Sequence, residues 1–132
     1  MIYFISGHRN VTQEEFDRLY KPIIENVAAK RNTKFVVGDY EGVDAMGQAL
    51  LKKLCDENVL DYSNVTVYHM KTAPRHYADD RFNTKGGFES DVERDSAMTR
   101  DSQKDIAFIR TGKWTSGTAQ NILRRYELLE KI

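Results

Sequence analysis

An α/β domain built on a mainly parallel sheet of about four strands is what this sequence predicts, and three observations predict it. Four short apolar runs, Ile2 to Ser6, Lys34 to Gly38, Val65 to Met70 and Asp105 to Arg110, alternate with segments of helical period, the order of successive βαβ units. The runs are continuous rather than alternating in polarity (Ile-Tyr-Phe-Ile, Phe-Val-Val, Ile-Ala-Phe-Ile), as in strands buried on both faces. Helices then belong on both sides of the sheet, which makes a Rossmann-like three-layer sandwich. Third, 132 residues suit one domain, long enough to bury about two-thirds of its unfolded surface without metal or disulfide staples. No repeat, low-complexity tract or linker divides the chain, so residues 1–132 are expected to form a single domain.

The helices carry their own signals. Thr12 and Glu15 form a capping box, after which Phe16, Leu19, Tyr20, Ile23 and Val27 recur at spacings of three and four. Pro22 conflicts with a continuous helix, because it removes a backbone donor and kinks or splits the helix near Tyr20. A second helix places Met46, Ala49, Leu50 and Leu54 on one stripe, and the last places Ala119, Ile122, Leu123, Tyr126 and Leu129 on another. Both stripes are expected to pack on the sheet. The polar stretch from Thr72 to Phe88 lacks periodicity and reads as a lid or a mobile connection. Ser90 and Glu93 then open a short polar helix running to about Arg100.

Composition narrows the function classes. The chain is 40% hydrophobic and 30% charged, with 20 basic residues against 20 acidic ones. That balance makes nucleic acid an unexpected partner, since sequence-independent binding needs a basic excess on one face. The single cysteine, Cys55, falls inside the second helix, remote from the strand ends, so neither a disulfide nor a thiol nucleophile is expected. No apolar stretch approaches the ~20 residues of a membrane span, and the short apolar start lacks a basic leader, which points to the cytoplasm and away from a membrane. His8, His69 and His76 lie far apart with no Cys or carboxylate at ligand spacing, so no metal and no cofactor are predicted.

Ligands of open parallel sheets bind at the carboxyl ends of the strands, where helix N-termini offer unpaired N–H groups. Three loops hold that place here: Gly7-His8-Arg9-Asn10, then Gly38 to Asp44, then Gly112 to Thr118. Arg9 suits bidentate phosphate binding. His8 is either an acid, base or phosphate donor or a solvated loop residue. Asp44 reads as a helix cap or as a site carboxylate, and Ser116 and Thr118 as caps of the last helix or as site residues. Trp114 either stacks on a base or ribose or fills a gap. No Ser/His/Asp or Cys/His arrangement is visible, so any catalysis falls to carboxylates, with Asp44 and Glu93 the candidates and Glu41 a third.

These motifs resemble a family. Ser6-Gly7-His8-Arg9 after the first strand and Val37-Gly38-Asp39-Tyr40-Glu41-Gly42-Val43-Asp44-Ala45 after the second are similar to the SLOG superfamily, related to the LOG (lysine-decarboxylase-like) and DprA proteins. Glu93-Arg94-Asp95-Ser96-Ala97-Met98, Asp105-Ile106-Ala107-Phe108 and Ser116-Gly117-Thr118-Ala119-Gln120-Asn121 follow in the family's order. The resemblance implies a pocket for nucleotides or their derivatives, lined by Gly7, Arg9, Gly38, Gly42, Asp44, Arg94, Ser116, Gly117 and Thr118. It departs from the family where Gln120 and Asn121 stand in place of a ribose-directed glutamate, where Asp95 replaces an asparagine, and beyond Ile132, where relatives commonly add a strand. A neutral amide is neither nucleophile nor base, so Gln120 removes the obvious route to hydrolysis.

Three functions are therefore weighed. The first is a binding module for a nucleotide or ADP-ribose-like ligand, with phosphate on the glycine loops, Arg9 and Arg94 pairing its charge, and the Thr72 to Phe88 segment closing over it. The second is an N-glycosidase or nucleoside deoxyribosyltransferase-like enzyme using Asp44 or Glu93. The third is an oligomeric interaction protein with a vestigial pocket, favoured by an uncovered sheet edge that invites self-association.

Overall fold

A computed structural model describes residues 1–110, 112 and 116–130, with the backbone alone at 130. Among these residues five strands, β1 (Ile2–Ile5), β2 (Lys34–Val37), β3 (Val65–Met70), β4 (Asn83–Phe88) and β5 (Lys104–Ile106), make one sheet ordered β4-β3-β2-β1-β5. Every pairing is parallel, with Ile5 opposite both Val37 and Ile106. The α/β sandwich expected from the sequence is present, with five strands rather than about four.

The additional strand, β4, lies inside the stretch expected to be a lid. It is an edge strand whose residues are almost all exposed, so it has no apolar face and left no periodic signal. Gly86 lets its backbone lie against the buried His69 ring, where a Cβ would collide with the imidazole. Conversely, the run expected to extend to Arg110 is a strand only over β5. Beyond it the backbone is held by side chains: Phe108 N donates to Tyr20 Oη at 3.1 Å and Arg110 N to His8 Nε2 at 3.0 Å.

Helices α1 (Gln13–Leu19) and α2 (Lys21–Ala28) are the halves of the segment that Pro22 was expected to split, and the Thr12–Glu15 capping box is complete. Helix α3 (Val43–Asp56) buries Val43, Gly47, Leu50, Leu51 and Leu54, so the expected stripe is shifted: Ala49 is exposed and Met46 only partly covered. Helix α4 (Asp91–Arg100) begins at Ser90, whose side chain accepts from Glu93 N. Helix α5 (Gly117–Glu130) overturns its predicted stripe. It buries Thr118, Ala119, Asn121 and Arg125, while Leu123, Tyr126 and Leu129 are 49%, 63% and 54% exposed. The reason is that α5 packs on α4 and on the three-residue edge strand β5, and that contact is made through Arg125, which donates to Thr99 O and Ser102 O and pairs with Asp105.

The main core lies between the sheet and α1, α2 and α3, around Ile5, Phe35, Val37, Leu51 and Val67. On the opposite face Phe4, Val36, Tyr68, Ala97 and Met98 form a small cluster under α4. From β1 to β4 the sheet grows steadily to one side; β5 then returns to the other side of β1. The gap between the connections leaving β1 and β5 is a topological switch point, the place where open α/β sheets form a crevice. No described helix is long and apolar enough to cross a membrane.

Candidate functional site

The crevice at the switch point is an open cleft of about 230 Å³. The loops after β1 and β2, the first turns of α4 and the first turns of α5 close around it, and Phe4 and Met98 give its apolar floor. Strand alternation explains which residues face it. Phe4 and Val36 point to the α4 side while Ile5 and Val37 point to the main core, so Ser6 and Gly38, the next residues along the paired strands, turn back toward α4.

Two glycines make this corner. Gly38 stands beneath Asp44 and Arg94, and any Cβ there would strike Asp44 Oδ2. Gly42 has φ of +78° and lies against the Arg9 backbone with no room for a side chain, a conformation that favours glycine. Neither lines the cleft; they let the two loops and the carboxylate approach. Gly7, against Tyr20 and Val43, does line it.

Asp44 is the central group. It is 8% exposed, on the first turn of α3, and lines the cleft. It does not cap its helix: the N-cap position is Gly42, and Asp44 Oδ2 accepts instead from Tyr40 N at 3.1 Å. Burial pushes its carboxyl up to about 7, with Asp95 and Asp39 adding to the rise and the Arg94 guanidinium and the Tyr40 N–H opposing it. Asp44 therefore changes charge near neutral pH, as a general acid or base does.

Arg94 lines the cleft but does not offer it a free charge. It is 5% exposed, and its guanidinium donates to Asp39 Oδ1 at 2.7 Å and to Asp95 Oδ1 at 3.1 and 2.9 Å, with Asp91 at 3.2 Å and Asp44 at 4.0 Å. The expectation that Arg94 pairs a ligand's charge is corrected accordingly: four carboxylates of the protein already surround it. Asp39 is fully buried, and burial alone would raise it. Hydrogen bonds from Arg75 N, Nε and Nη2 and the charges of both arginines hold it below the usual carboxylate range. Arg75 also reaches Asp91 at 2.8 Å and stacks over Tyr40, so the 71–82 connection is anchored at the cleft rim.

The remaining expected residues divide. Arg9 is exposed at the mouth, its Nη1 donating to Tyr40 Oη at 3.4 Å. His8 lines the cleft with Nε2 accepting from Arg110 N, which makes it a brace for the segment that follows β5. Gly117 and Thr118 bring the N-terminus of α5 to the cleft, whereas Ser116 caps that helix, its Oγ accepting from Ala119 N at 3.2 Å. Glu93 does not line the cleft and accepts from Glu89 N; its candidacy as a catalytic carboxylate is not supported by its position. Trp114 lies outside the described residues. Sequence reasoning missed Asp91 and Arg75 because tertiary packing alone brings them to the cleft, and it placed the Gly38 to Asp44 loop and the Ser6 motif at the strand ends without singling out Ser6, Asp39 or Tyr40. Among the described residues no cluster of His, Cys, Asp and Glu is arranged to hold a metal ion.

No family model, curated protein or solved structure matches this chain.

Proposed function

We propose that the cleft binds a nucleotide or a nucleotide derivative of the ADP-ribose class, in a reducing, cytoplasmic setting suited to the single buried Cys55. The observation that carries this reading is the meeting, at one switch point, of Arg9, the backbone of the first glycine loop and the N-terminal turn of α5. Phosphate suits a cleft lined by both a helix N-terminus, with its positive end and unpaired N–H groups, and a guanidinium. Asp44, Asp91 and Asp95, which line the same cleft, repel phosphate and suit sugar hydroxyls, which donate to carboxylates.

The test is thermal unfolding of the purified protein with nucleoside mono-, di- and triphosphates, ADP-ribose, NAD and cyclic nucleotides, repeated with Arg9→Ala. A ligand at 100 times its Kd adds about 2.7 kcal/mol to stability, and Arg9→Ala is expected to reduce that gain. No stabilisation by any of them overturns the reading and moves it to an interaction protein, for which the exposed Leu123, Tyr126 and Leu129 of α5 offer a surface.

One observation favours a second reading, an N-glycosidic hydrolase or transferase: Asp44 combines burial, a place in the cleft and a carboxyl near neutrality. As an acid it would protonate the departing base while the C1′–N bond breaks and water adds its hydroxyl to C1′, the water's remaining proton returning to the Asp44 carboxylate. Release of free base from nucleoside monophosphates, lost in Asp44→Asn, separates this from binding alone.

A further inference from the structure

We propose that Ser6 is the specificity residue of the cleft, acting with Asp44 to recognise the 2′,3′-hydroxyl pair of a ribose and so to select ribonucleotides over deoxyribonucleotides. This rests on the nucleotide reading above and names the part of the ligand that reaches the floor.

Ser6 has one unmet polar group. Its N–H donates to Ile106 O at 3.1 Å and its carbonyl accepts from Tyr20 Oη at 2.9 Å, so the backbone is satisfied on both sides. The side-chain Oγ is buried, in a residue only 4% exposed, and has no hydrogen-bond partner in the protein. Buried hydroxyls are paired as a rule, and an exception calls for a reason. Here the residue lines the cleft, so a group entering the cleft can supply the partner.

The neighbours decide the chemistry of that group. Ile5 is in register with Val37, so Ser6 runs beside Gly38, and Asp44 Oδ2 stands over Gly38 in the space a side chain would fill. Ser6 and the Asp44 carboxyl therefore flank one spot on the floor. Asp95 is also a lining residue there, with Arg94 neutralised by its own carboxylates. An anion entering this spot meets carboxylates with no uncommitted cation beside them. A neutral ligand atom that both donates and accepts suits it better: a serine hydroxyl offers one donor and two acceptor sites, and a carboxyl that gains and loses its proton near neutrality offers either role. Two adjacent hydroxyls on a sugar ring match two such groups side by side. Phe4 and Met98 below them are apolar and buried, so an analogue lacking a hydroxyl leaves Ser6 Oγ without a partner in a dry setting, the situation in which a site rejects the analogue.

The experiment is isothermal titration of the protein with the four ribonucleoside 5′-monophosphates, their 2′-deoxy counterparts and ribose 5-phosphate, repeated with Ser6→Ala and Arg9→Ala. At least one ribonucleotide is expected to bind about tenfold or more tighter than its 2′-deoxy form. Ser6→Ala is expected to bring the two affinities together by weakening the ribonucleotide alone, while Arg9→Ala weakens both and leaves their ratio intact. Binding of ribose 5-phosphate that Ser6→Ala weakens in the same way supports the contact and assigns it to a free sugar phosphate. Equal affinities for ribo and deoxy forms in the unaltered protein overturn the proposal while leaving the nucleotide reading standing, and that ratio needs no variant. Failure of every probe to bind overturns the nucleotide reading and the proposal with it.

Discussion

The two faces of the sheet are built differently. Toward α1, α2 and α3 the sheet presents Ile5, Phe35, Val37, Val65 and Val67 to a continuous apolar core. Toward α4 and α5 the apolar contact shrinks to Phe4, Val36, Tyr68, Ala97 and Met98, and two buried arginines do what side-chain packing does on the other face. Arg94 ties α4 to the loop after β2 through Asp39, and Arg125 ties α5 to the end of α4 and to Asp105. The cleft opens on this second face. A core of aliphatic side chains closes on itself, whereas a charged network leaves polar groups available at its margin, and Asp44 and Ser6 lie at that margin.

The comparison breaks most sharply at Arg94. Arg94→Met would leave Asp39, Asp44 and Asp95 facing one another without their shared cation, and a loss of about 3–5 kcal/mol is expected, as for one partner removed from a buried pair. Urea unfolding at pH 7 measures it. The loss is expected to shrink at pH 4, where the orphaned carboxylates take up protons. A penalty that is small and independent of pH would mean that the second face is held by packing after all.

Leu51→Ala tests the apolar face: Leu51 is fully buried, and truncation is expected to cost about 2–5 kcal/mol. The same change at Leu123, half exposed on α5, is expected to stay within about 0.5 kcal/mol. Equal costs at the two positions would show that the α5 stripe is covered in solution, as in a self-associated form, and size-exclusion chromatography of both variants would then follow.

The pH dependence expected of Asp44 is the most informative for the site. With its folded-state carboxyl near 7, Asp44 keeps a proton that the unfolded chain, titrating near the ordinary value of about 4, has already released. Its favourable contribution is full below about pH 4 and is lost as pH rises to about 7, so stability from this group falls with rising pH. Asp44→Asn retains an oxygen for the Tyr40 N–H. The difference in melting temperature between Asp44→Asn and the unaltered protein is expected to grow in favour of the variant from pH 5 to pH 8. A flat difference would assign Asp44 an ordinary carboxyl and remove the support for acid–base chemistry in the cleft.

Local patterns alone determined the fold class, the four strands with an apolar signal, the Thr12 capping box and the break at Pro22, because each depends on residues close together in the chain. The expectation of a SLOG-like pocket directed attention to Arg94, but not to what surrounds it. Tertiary structure alone decided the rest. Strand β4 has no buried face of its own and exists through its pairing with β3. The apolar stripe of α5 points outward because Arg125 takes the inward position. Arg94 pairs with Asp39, 55 residues away, and Arg75 joins the same carboxylate from the 71–82 connection. Ser6, read in the sequence as the end of a strand and the start of the Ser6-Gly7-His8-Arg9 motif, becomes a buried hydroxyl at the cleft because parallel pairing sets it beside Gly38. Periodicity records how a segment meets the average interior, but it carries no information about which distant partner satisfies a buried charge or leaves a hydroxyl unmet.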